Sequence, residues 1–564
     1  MSQALYSVVE ESVDRSLMSD RVKGLIASAM NYNALLQPGR SLEYRVYMGE
    51  KWQYPCLTDF STLNGGLTES EGLKPFYIAK VTSLFTPTSY FSPHYFGGLE
   101  QIQDRNVRYL LVTPDDATDA DIDAHNSLDF KTKLYRDLEA DHPILLDELR
   151  EKQRQKRWAD GLKPVEPFKE PDVKEQNKDK YNHHPYSEIH PGPCVDGAQK
   201  AVIVGMHWLQ AGGAERWAIE TVKLVKDAGM LPIVITDRPS HEPWITKHEL
   251  DGALVINLTF PAQERPGDEP LLRALVEQFD VRGVLVHHCQ WLYDRLWWIK
   301  KYRPVCTVVD SLHIVEYPNC GGYPNQAVSR DEYIDIHHVI SPLLVRWLSE
   351  GHGISESKIV DAPLVGLTAN SAADSVKARC SADVMNIAFV GRISRQKRPE
   401  AFVLLASEVN KVHPGSFHFI MHGNGDMDYV VDKLIEKGKL DSAIERRSMD
   451  VPVSDTYRDA DVLVISSVNE GITLTTIEAL SKGVPVLSAN VGSQDTLIPE
   501  SGLLPRSTKD FIEAAVPQLE YLRNNEDARS KLWRDEMDKL KGFSKLESAN
   551  SFFTRMLQEW SDRD

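Results

Sequence analysis

Two glutamates, Glu470 and Glu478, lie eight positions apart in the segment NEGITLTTIEAL, around a glycine and a threonine-rich run. The pattern predicts a strand that ends near Ser467 and a helix that begins about Leu474. The free N–H groups and partial positive charge of a helix N-terminus make an anion site, which the backbone at Gly471 can approach closely. Glu478, about one turn into the helix, suits the vicinal hydroxyls of a ribose, and Glu470 could bind the hydroxyls of a sugar beyond the phosphates.

A basic loop precedes this segment. The first predicted strand of the second half runs into FVGRISRQK, which places Arg392 and Lys397 at the carboxyl end of the strand, where ligands bind in open α/β sheets. A guanidinium and an ammonium suit a diphosphate. The next strand ends in HGNGD, a turn with Gly423 and Gly425. Three strand ends therefore offer groups for a nucleotide or a phosphate.

A glycine turn also follows the first predicted strand of the preceding half. The stretch MHWLQAGGAER puts Gly212 and Gly213 at the start of a helix. The turn is not G-x-G-x-x-G, and only Asp237 offers an acidic partner on the second strand, so a dinucleotide site is only weakly indicated.

The elements that must position these groups are strands that alternate with amphipathic stretches, as in a parallel sheet with crossover helices. From Lys200 onward, the predicted strands fall into two sets. The first set is AVIVGM, LPIVITD, ALVINL, GVLVHH, VCTVVD and HHVIS, and the second is MNIAFVG, FHFIMHG, DVLVISS and VPVLSAN. We therefore predict an α/β protein with two Rossmann-like domains, at residues 199–365 and 366–545, joined by the polar linker 366–384.

Residues 1–198 are predicted to form an amino-terminal α+β extension. SLEYRVYMGEKWQYPCLTDF and TSLFTPTSYFSPHYFGG are aromatic and strand-like, RNVRYLLVTPDD predicts one more strand, and HPILLDELREKQRQKRWADG predicts a charged amphipathic helix. The segment that follows, rich in proline and charge, is typical of an extended, solvated connector. Residues 546–564 are expected to form a helix that packs back on the 199–365 domain.

Composition narrows the function classes. The chain has 564 residues and a formal charge of −18, which disfavours binding to nucleic acid and anionic lipid overall. Its six cysteines are scattered without a C-x-x-C pair, which argues against a disulfide framework or a zinc ribbon. No stretch approaches the length of a membrane span, and no secretory signal is recognisable at the start, so we expect a cytoplasmic protein.

The motifs FVGRISRQK, HGNGD, ADVLVISSVNEGITLTTIEALSKGVPVLSA and MHWLQAGGAER together resemble the retaining glycosyltransferase family 4, which has the GT-B fold and a Glu-x7-Glu motif. The resemblance extends over residues 199 to 560, in the family's order. It implies transfer of a sugar, of the hexosyltransferase type, from a nucleoside-diphosphate-sugar to an acceptor hydroxyl with retention at the anomeric carbon. Glycan or cell-envelope polysaccharide synthesis is the expected setting.

The resemblance also implies roles for individual residues. Glu478 matches the acid that holds the donor ribose, Glu470 the acid near the donor sugar, and Arg392 with Lys397 the pair that neutralises the departing diphosphate. Thr473 stands where the family often has glycine, which narrows the room for the backbone. Further donor contacts are expected from Gly212, Gly213, Gly391, Gly423, Gly471, Ile472, Thr473 and Leu474.

Histidines are the candidates for the acceptor side. His313 resembles the family's cleft histidine, which lies close to the reacting anomeric centre and fits hydrogen bonding to the donor sugar or the acceptor. His287 and His288, at the preceding strand end, are competing candidates for acceptor binding.

The implied mechanism needs no protein nucleophile, since a departing phosphate oxygen helps to take the acceptor proton while fixed positive groups stabilise the diphosphate. No metal or other cofactor is expected, because Arg392 and Lys397 make a metal redundant, and we do not assign Asp426 and Asp428, in D-x-D spacing, as ligands. Closure of the two domains would require motion within 366–384.

Alternatives remain at this point. A GT-B relative with other chemistry, such as a nucleotide-sugar epimerase or a sugar phosphorylase, and an inactive sugar-nucleotide-binding scaffold share the fold. The expected partners are a nucleotide-sugar donor and a glycan, lipid-linked or protein acceptor, with peripheral membrane contact possible and no nucleic acid. The aromatic extension could enlarge the acceptor site or mediate homo-oligomers.

Overall fold

The computed structural model describes residues 3–58, 74–85, 106–126, 130–170, 190–258, 268–317, 319–365, 367 and 373–563. Its strands are β1 Tyr6–Val13, β2 Ser41–Met48, β3 Cys56–Thr58, β4 Tyr77–Ser83, β5 Val107–Val112, β6 Lys200–Met206, β7 Leu231–Thr236, β8 Leu254–Asn257, β9 Asp280–His287, β10 Thr307–Leu312, β11 Ile336–Val339, β12 Ile359–Asp361, β13 Met385–Val390, β14 Phe417–His422, β15 Ile444–Arg447, β16 Val462–Ile465, β17 Val486–Ala489 and β18 Leu503–Leu504.

Its α-helices are α1 Asp20–Leu36, α2 Asp119–Asn126, α3 Phe130–Asp141, α4 Pro143–Gly161, α5 Gly213–Asp227, α6 Asp268–Gln278, α7 Gln290–Tyr293, α8 Leu296–Tyr302, α9 Tyr323–Ser329, α10 Pro342–Arg346, α11 Pro399–Val412, α12 Asp428–Gly438, α13 Val453–Asp459, α14 Leu474–Ser481, α15 Thr508–Asn524, α16 Glu526–Phe543 and α17 Ala549–Asp562. Among the described residues, no helix has the length and apolar character needed to cross a bilayer.

We call the domain predicted at residues 199–365 the acceptor-side domain, after its expected role. It is built on a seven-stranded parallel sheet in the order β12-β11-β10-β9-β6-β7-β8. Its strands β6, β7 and β8 are mostly apolar and almost entirely buried, as expected of a parallel sheet covered on both faces. Because β6 lies between β9 and β7, the chain leaves β6 toward one side of the sheet and returns on the other. The crevice at the carboxyl ends of β6 and β9 is therefore the place where a ligand binds in such a sheet.

We call the domain predicted at residues 366–545 the donor-side domain, again after its expected role. It repeats this plan with six parallel strands in the order β15-β14-β13-β16-β17-β18. Here β13 lies between β14 and β16, so that the loops after β13 and β16 meet at the carboxyl edge of the sheet. The prediction of two Rossmann-like domains is confirmed, and every one of the ten predicted strand segments contains a strand. The arrangement is that of the GT-B fold.

The carboxy-terminal helix α17 returns from the donor-side domain to the acceptor-side domain. Phe553 packs edge-on against Trp217 of α5, at a ring separation of 5.1 Å. A Cβ atom at Gly283 in β9 would lie 2.1 Å from the ring of Trp560, so only glycine leaves room for that indole. The chain thus crosses between the domains twice.

The extension contains a five-stranded mixed sheet in the order β1-β4-β2-β5-β3. Helix α1 lies between this sheet and the edge of the acceptor-side domain, where the hydroxyl of Ser28 accepts a hydrogen bond of 2.7 Å from the backbone N–H of Asn257. The apolar residues of α1 and the sheet belong to the same core as the acceptor-side domain. This part of the extension therefore behaves as an added layer of that domain.

The predicted connector is anchored where the structure describes it. The backbone N–H of Phe168 donates to the carbonyl of Ser329 at 2.6 Å, and the guanidinium of Arg330 covers the Phe168 ring at 4.3 Å. The N–H of Gly192 donates to Glu277 at 2.6 Å. Most other described residues of this segment are exposed, as expected of a solvated connector, and Phe168 and Gly192 are points at which it contacts the folded chain. Residues 171–189, most of the predicted strand-like segment 82–98, and linker residues 366 and 368–372 lie outside the described residues.

Candidate active site

Glu470 and Lys397 form an ion pair at the carboxyl edge of the donor-side sheet. The ammonium of Lys397 donates to Oε1 of Glu470 at 2.6 Å, and the hydroxyl of Ser467 donates to the same oxygen at 2.5 Å. Glu470 is 6% exposed. Since both contacts use Oε1, the second carboxylate oxygen can accept from a ligand hydroxyl, and two N–H donors of the ammonium can serve a phosphate.

The structure explains the glycine at position 471 by a close contact between domains, whereas the sequence analysis explained it by close approach to an anion. A Cβ atom at this position would lie 2.0 Å from the carbonyl oxygen of His313, which belongs to the acceptor-side domain. The glycine therefore allows the two domains to touch beside Glu470. The loop holds further interdomain contacts, because the side-chain amide of Asn469 donates to the carbonyl of Val315 at 2.7 Å.

Glu478 lies on α14, where one carboxylate oxygen accepts from each domain. Oε1 pairs with the guanidinium of Arg216 on α5 at 3.1 Å, and Oε2 accepts from the phenol of Tyr457 at 2.9 Å. Sequence reasoning missed Arg216, although it lies in the quoted MHWLQAGGAER motif, three residues after Gly213. Glu478 thus sits at the mouth of the interdomain crevice, half-buried.

The glycine loops of the donor-side domain contact each other closely. A Cβ atom at Gly423 would lie 2.0 Å from the carbonyl oxygen of Gly391, and the N–H of Ile393 donates to the carbonyl of Asn424 at 2.9 Å. Gly391 in turn faces the aliphatic part of the Lys397 side chain. Arg392 is exposed beside these loops, and its side chain makes no hydrogen bond or ion pair within the described part of the chain. Its guanidinium is available to an anion.

The glycine turn of the acceptor-side domain faces α14. Gly212 is the residue before α5, and Gly213 lies opposite the side chain of Leu474, which would be 3.7 Å from a Cβ atom there. Ile472 and Leu474 are half-buried and pack against the cores of both domains. These two apolar residues hold the N-terminus of α14 at the interface.

Thr473 directs its side chain into the donor-side domain. It is 4% exposed, and its hydroxyl bonds Thr476 at 2.5 Å and Gln494 at 3.3 Å. The hydroxyl is therefore used internally and does not cap α14.

His313 ends a chain of hydrogen bonds whose direction can be assigned. Nε2 of His338 must donate to the carbonyl of Ala362, at 2.8 Å, because a carbonyl only accepts. Burial lowers the pKa of His338 to about 4, so its Nδ1 accepts from the hydroxyl of Ser311 at 2.8 Å. The Ser311 oxygen then accepts from Nε2 of His313 at 3.1 Å. Burial also lowers the pKa of His313, which leaves the Nδ1 lone pair of a neutral ring as an acceptor.

His288 lies beside His313 in the crevice. It adopts a positive φ of 56°, which residues other than glycine rarely adopt. Its ring stacks parallel to the Tyr323 ring, with centroids 4.9 Å apart. Its ring meets that of His313 edge-on at 5.3 Å. Burial lowers the pKa of His288, so that this ring too is neutral.

His287 lies on the other face of the sheet, within the core. The hydroxyl of Thr221 donates to the carbonyl of Ala218 at 2.7 Å and lies 3.0 Å from Nε2 of His287, which therefore donates to it. The ring is 2% exposed, and burial lowers its pKa to about 3. His287 is the last residue of β9, and the chain turns at His288, whose positive φ lies outside the strand region. His287 packs under α5, whereas His288 faces the crevice.

Sequence reasoning missed three residues of the crevice wall, His207, Arg238 and Tyr323. His207, after β6, contacts the Tyr323 ring at 5.1 Å, and the guanidinium of Arg238, after β7, donates to the Tyr323 hydroxyl at 3.1 Å. Position at a strand's carboxyl end was the available signal for His207 and Arg238. Asp237 accepts from the backbone N–H of Trp291 at 2.9 Å, a structural role that removes the one acidic residue considered for a dinucleotide.

The D-x-D aspartates of the glycine turn also have contacts within the protein. Asp428 pairs with Arg446 at 2.5 Å and accepts from the N–H of Gly425 at 2.9 Å. Over the described residues, no group of three or more His, Cys, Asp and Glu side chains is arranged to hold a metal ion.

Comparison with known proteins adds to this geometry. Residues 385–520, within the donor-side domain, match the family described as "Glycosyl transferases group 1". The chain is 27% identical over 346 residues to "D-inositol 3-phosphate glycosyltransferase" of Nocardia farcinica, and the aligned region covers 54% of this chain and 76% of that protein. It is 29% identical over 165 residues to "O-antigen biosynthesis glycosyltransferase WbnH" of Escherichia coli, covering 29% and 44%. The crystal structure of Anabaena Alr3699/HepE in complex with UDP-glucose is 12% identical, with a TM-score of 0.49 over 64% of this chain and 98% of that chain.

Proposed function

We propose that this chain, a glycosyltransferase with the GT-B fold, is a retaining enzyme of the Glu-x7-Glu type that moves a hexose from a nucleoside-diphosphate-sugar to an acceptor hydroxyl. One observation carries the proposal. The Lys397–Glu470 pair of the donor-side domain meets His313 of the acceptor-side domain across Gly471, with Glu478 in the helix that follows. This order matches the phosphates, the sugar and the nucleoside of one donor.

The donor would be held by its charge and its hydroxyls. Lys397 and the exposed Arg392 supply positive charge for the diphosphate, whose negative charge grows as the bond to the sugar breaks. Glu470 accepts from hydroxyls of the sugar, and Glu478, together with Arg216, faces the ribose. These cations supply what a divalent metal would supply, and we propose that the reaction needs none.

The acceptor would bind between His288, Tyr323 and His313. The Nδ1 lone pair of His313 accepts from a hydroxyl of the donor sugar or of the acceptor, and the neutral ring adds no positive charge next to the anomeric carbon. The acceptor proton passes to the departing phosphate oxygen on the same face of the sugar, so that configuration is retained without a protein nucleophile. The O-antigen relative supports a polysaccharide acceptor.

Nucleotide binding tests the donor site. Thermal unfolding of the parent chain should shift upward with one of UDP, GDP and ADP, and titration of that diphosphate should show about tenfold weaker binding to Glu478→Gln. Glu408→Gln is the matched control, because Glu408 lies in the same domain and pairs with the exposed Lys411. A parent that binds none of the three, or a Glu478→Gln variant that binds as tightly as the parent, would contradict the proposal.

The stereochemistry tests the mechanism separately. The parent is incubated with sugar donors of the preferred nucleotide, and the first sugar anomer released by slow hydrolysis is identified by proton NMR before mutarotation. Retention predicts the anomeric configuration of the donor. The opposite anomer would overturn the retaining assignment while leaving sugar transfer itself in place.

A further inference from the structure

Helix α4 of the extension reaches the donor-side domain through a buried carboxylate. Asp147 is 1% exposed, and its Oδ2 accepts from the hydroxyl of Thr508 at 2.5 Å and from the guanidinium of Arg398 at 3.2 Å. Its other oxygen accepts from Arg154, on the same helix, at 2.6 Å. Burial alone would raise the pKa of Asp147, but the charges of Arg398 and Arg154 outweigh it and lower that pKa.

Arg398 is the residue after Lys397, and it is fully buried. It adopts a positive φ of 50° at the turn into α11. Its Nε donates to the carbonyl of Ser466 at 2.6 Å, and its Nη1 donates to the carbonyl of Arg506 at 2.5 Å. The guanidinium therefore fixes the end of the Lys397 loop against the strand β16 that leads to Glu470.

Ser466 closes the connection to the site. Its hydroxyl lies 3.0 Å from the carbonyl of Lys397 and 3.0 Å from that of Arg398, so its one proton is shared between the two carbonyls. The next residue, Ser467, bonds Glu470. Hydrogen bonds from Asp147 to Arg398 and from Arg398 to Ser466, together with the adjacent residues Lys397 and Ser467, therefore connect Asp147 to the Lys397–Glu470 pair.

The other end of α4 is fixed to the acceptor-side domain. Trp158 packs on Trp347 at a ring separation of 4.8 Å and on Tyr317 at 5.9 Å. The carbonyl of Gly161 accepts from the side chain of Asn325 at 2.8 Å. Eleven residues separate Asp147 from Trp158, about 17 Å along a helix, so α4 spans the two domains as a rigid rod.

We propose that Asp147 is a positioning residue of the donor site, through which the amino-terminal extension holds the diphosphate-binding loop in its working geometry. The inference rests on the proposed function and goes beyond it, because it makes residues outside the two Rossmann-like domains part of the donor site. Asp147 does not touch the donor. It acts through Arg398 on the backbone of Lys397.

The test compares ligands that differ by one phosphate. Binding of UDP against UMP, GDP against GMP and ADP against AMP is measured by calorimetric titration for the full chain and for Asp147→Asn. The variant should bind the preferred diphosphate about tenfold more weakly, while its affinity for the monophosphate changes less than about threefold. A purely structural role would lower the unfolding temperature and leave this ratio unchanged.

Two further variants fix the route and the control. Asp137→Asn breaks another contact between the extension and the donor-side domain, with Lys433 and Tyr429 on α12, and should leave the ratio unchanged. In an Arg398→Gln background, the change at Asp147 should have no further effect on the ratio. If Asp147→Asn does not fold, Thr508→Val removes one donor from the same carboxylate and should show a smaller selective loss.

The outcomes separate the two proposals. Equal weakening of diphosphate and monophosphate, or an unchanged ratio in the folded variants, overturns the role of Asp147 and leaves the proposed function standing. A parent chain that binds none of the diphosphates overturns both.

Discussion

The two walls of the crevice are built on the same sheet plan but carry opposite kinds of chemistry. The donor-side wall presents charged groups in ion pairs, Lys397 with Glu470 and Glu478 with Arg216 from across the crevice. The acceptor-side wall presents buried aromatic rings, among which burial lowers the pKa of His288 and His313. The ion pairs of the donor-side wall therefore face neutral histidine rings, beside which Arg238 is held by the Tyr323 hydroxyl.

The difference agrees with what each wall would bind in the proposed function. A diphosphate is strongly anionic and gains charge as it departs, so cations fixed in advance stabilise it at no reorganisation cost. A hydroxyl is neutral and gives up a proton, so a ring with a lone pair and no charge suits it. Breaking the two walls separately should therefore give different kinetic defects.

The largest effect is expected on the donor-side wall. Lys397→Met removes the ammonium that we propose to bind the diphosphate, and the buried Glu470 carboxylate, 6% exposed, keeps its bond from Ser467. We expect sugar transfer or donor hydrolysis to fall about 1000-fold, with weaker diphosphate binding, because charge stabilisation of this kind is often worth several kcal/mol. Release of the nucleoside diphosphate from the sugar donor, measured in a coupled assay, checks this.

The matched control for that change is Lys411→Met. Lys411 is an exposed lysine of the same domain that pairs with Glu408, so its loss should leave turnover within about twofold of the parent. Near-parental activity in Lys397→Met would mean that the donor-side wall does not act through its charge.

The acceptor-side wall should give a smaller and more selective defect. His313→Ala removes the Nδ1 acceptor at the end of the Ser311 chain, and turnover should fall about 50-fold while diphosphate affinity stays within about threefold. Steady-state rates and calorimetric titration on the same samples separate the two quantities.

His287 provides the comparison for His313. His287→Gln alters a ring that bonds Thr221 inside the core, so it should lower the unfolding temperature and leave turnover per folded molecule unchanged. Equal turnover defects in the two variants would show that the wall is sensitive to packing alone.

The motif-bearing parts of the site were predictable from the sequence because their signals are local. Strand ends and glycine turns correctly located the loops of Lys397, Glu470 and Gly423, since parallel strands bring their carboxyl ends to one edge. Arg216 and Tyr323 were not predicted, because their role depends on which residue of the opposite domain or strand they meet. The spacing of residues within one segment does not show which residues of another segment they contact.

The extension was the least predictable region for the same reason. The charged helix around Asp147 was recognised from its periodicity, yet a carboxylate on a charged helix is ordinarily exposed. Asp147 is buried only because Arg398 and Thr508, more than 200 residues later, surround it. Long-range pairing of this kind becomes visible only in the folded chain.

The smallest expected effect concerns His337, a histidine of the acceptor-side sheet that lies between two carboxylates. His337 is buried between Asp310, 2.9 Å from Nδ1, and Asp331, 3.0 Å from Nε2, so both nitrogens donate. Burial would lower its pKa, but the two carboxylates raise that pKa to about 9. Tyr293 also bonds Asp310, and Lys358 pairs with Asp331. The neutral rings of the same wall thus have a charged counterpart below them.

Because the folded pKa of His337 lies above its unfolded value, this group stabilises the fold fully below about pH 6.5 and loses that contribution as pH rises through about 9. The stability difference between the parent and His337→Asn should therefore shrink by about 3 kcal/mol over this range. Urea unfolding at pH 6.5 and pH 9.5 measures it. His248→Asn, at an exposed histidine, should follow the parent at both values. A difference between the parent and His337→Asn that stays constant with pH would mean that His337 is neutral, like the rings above it.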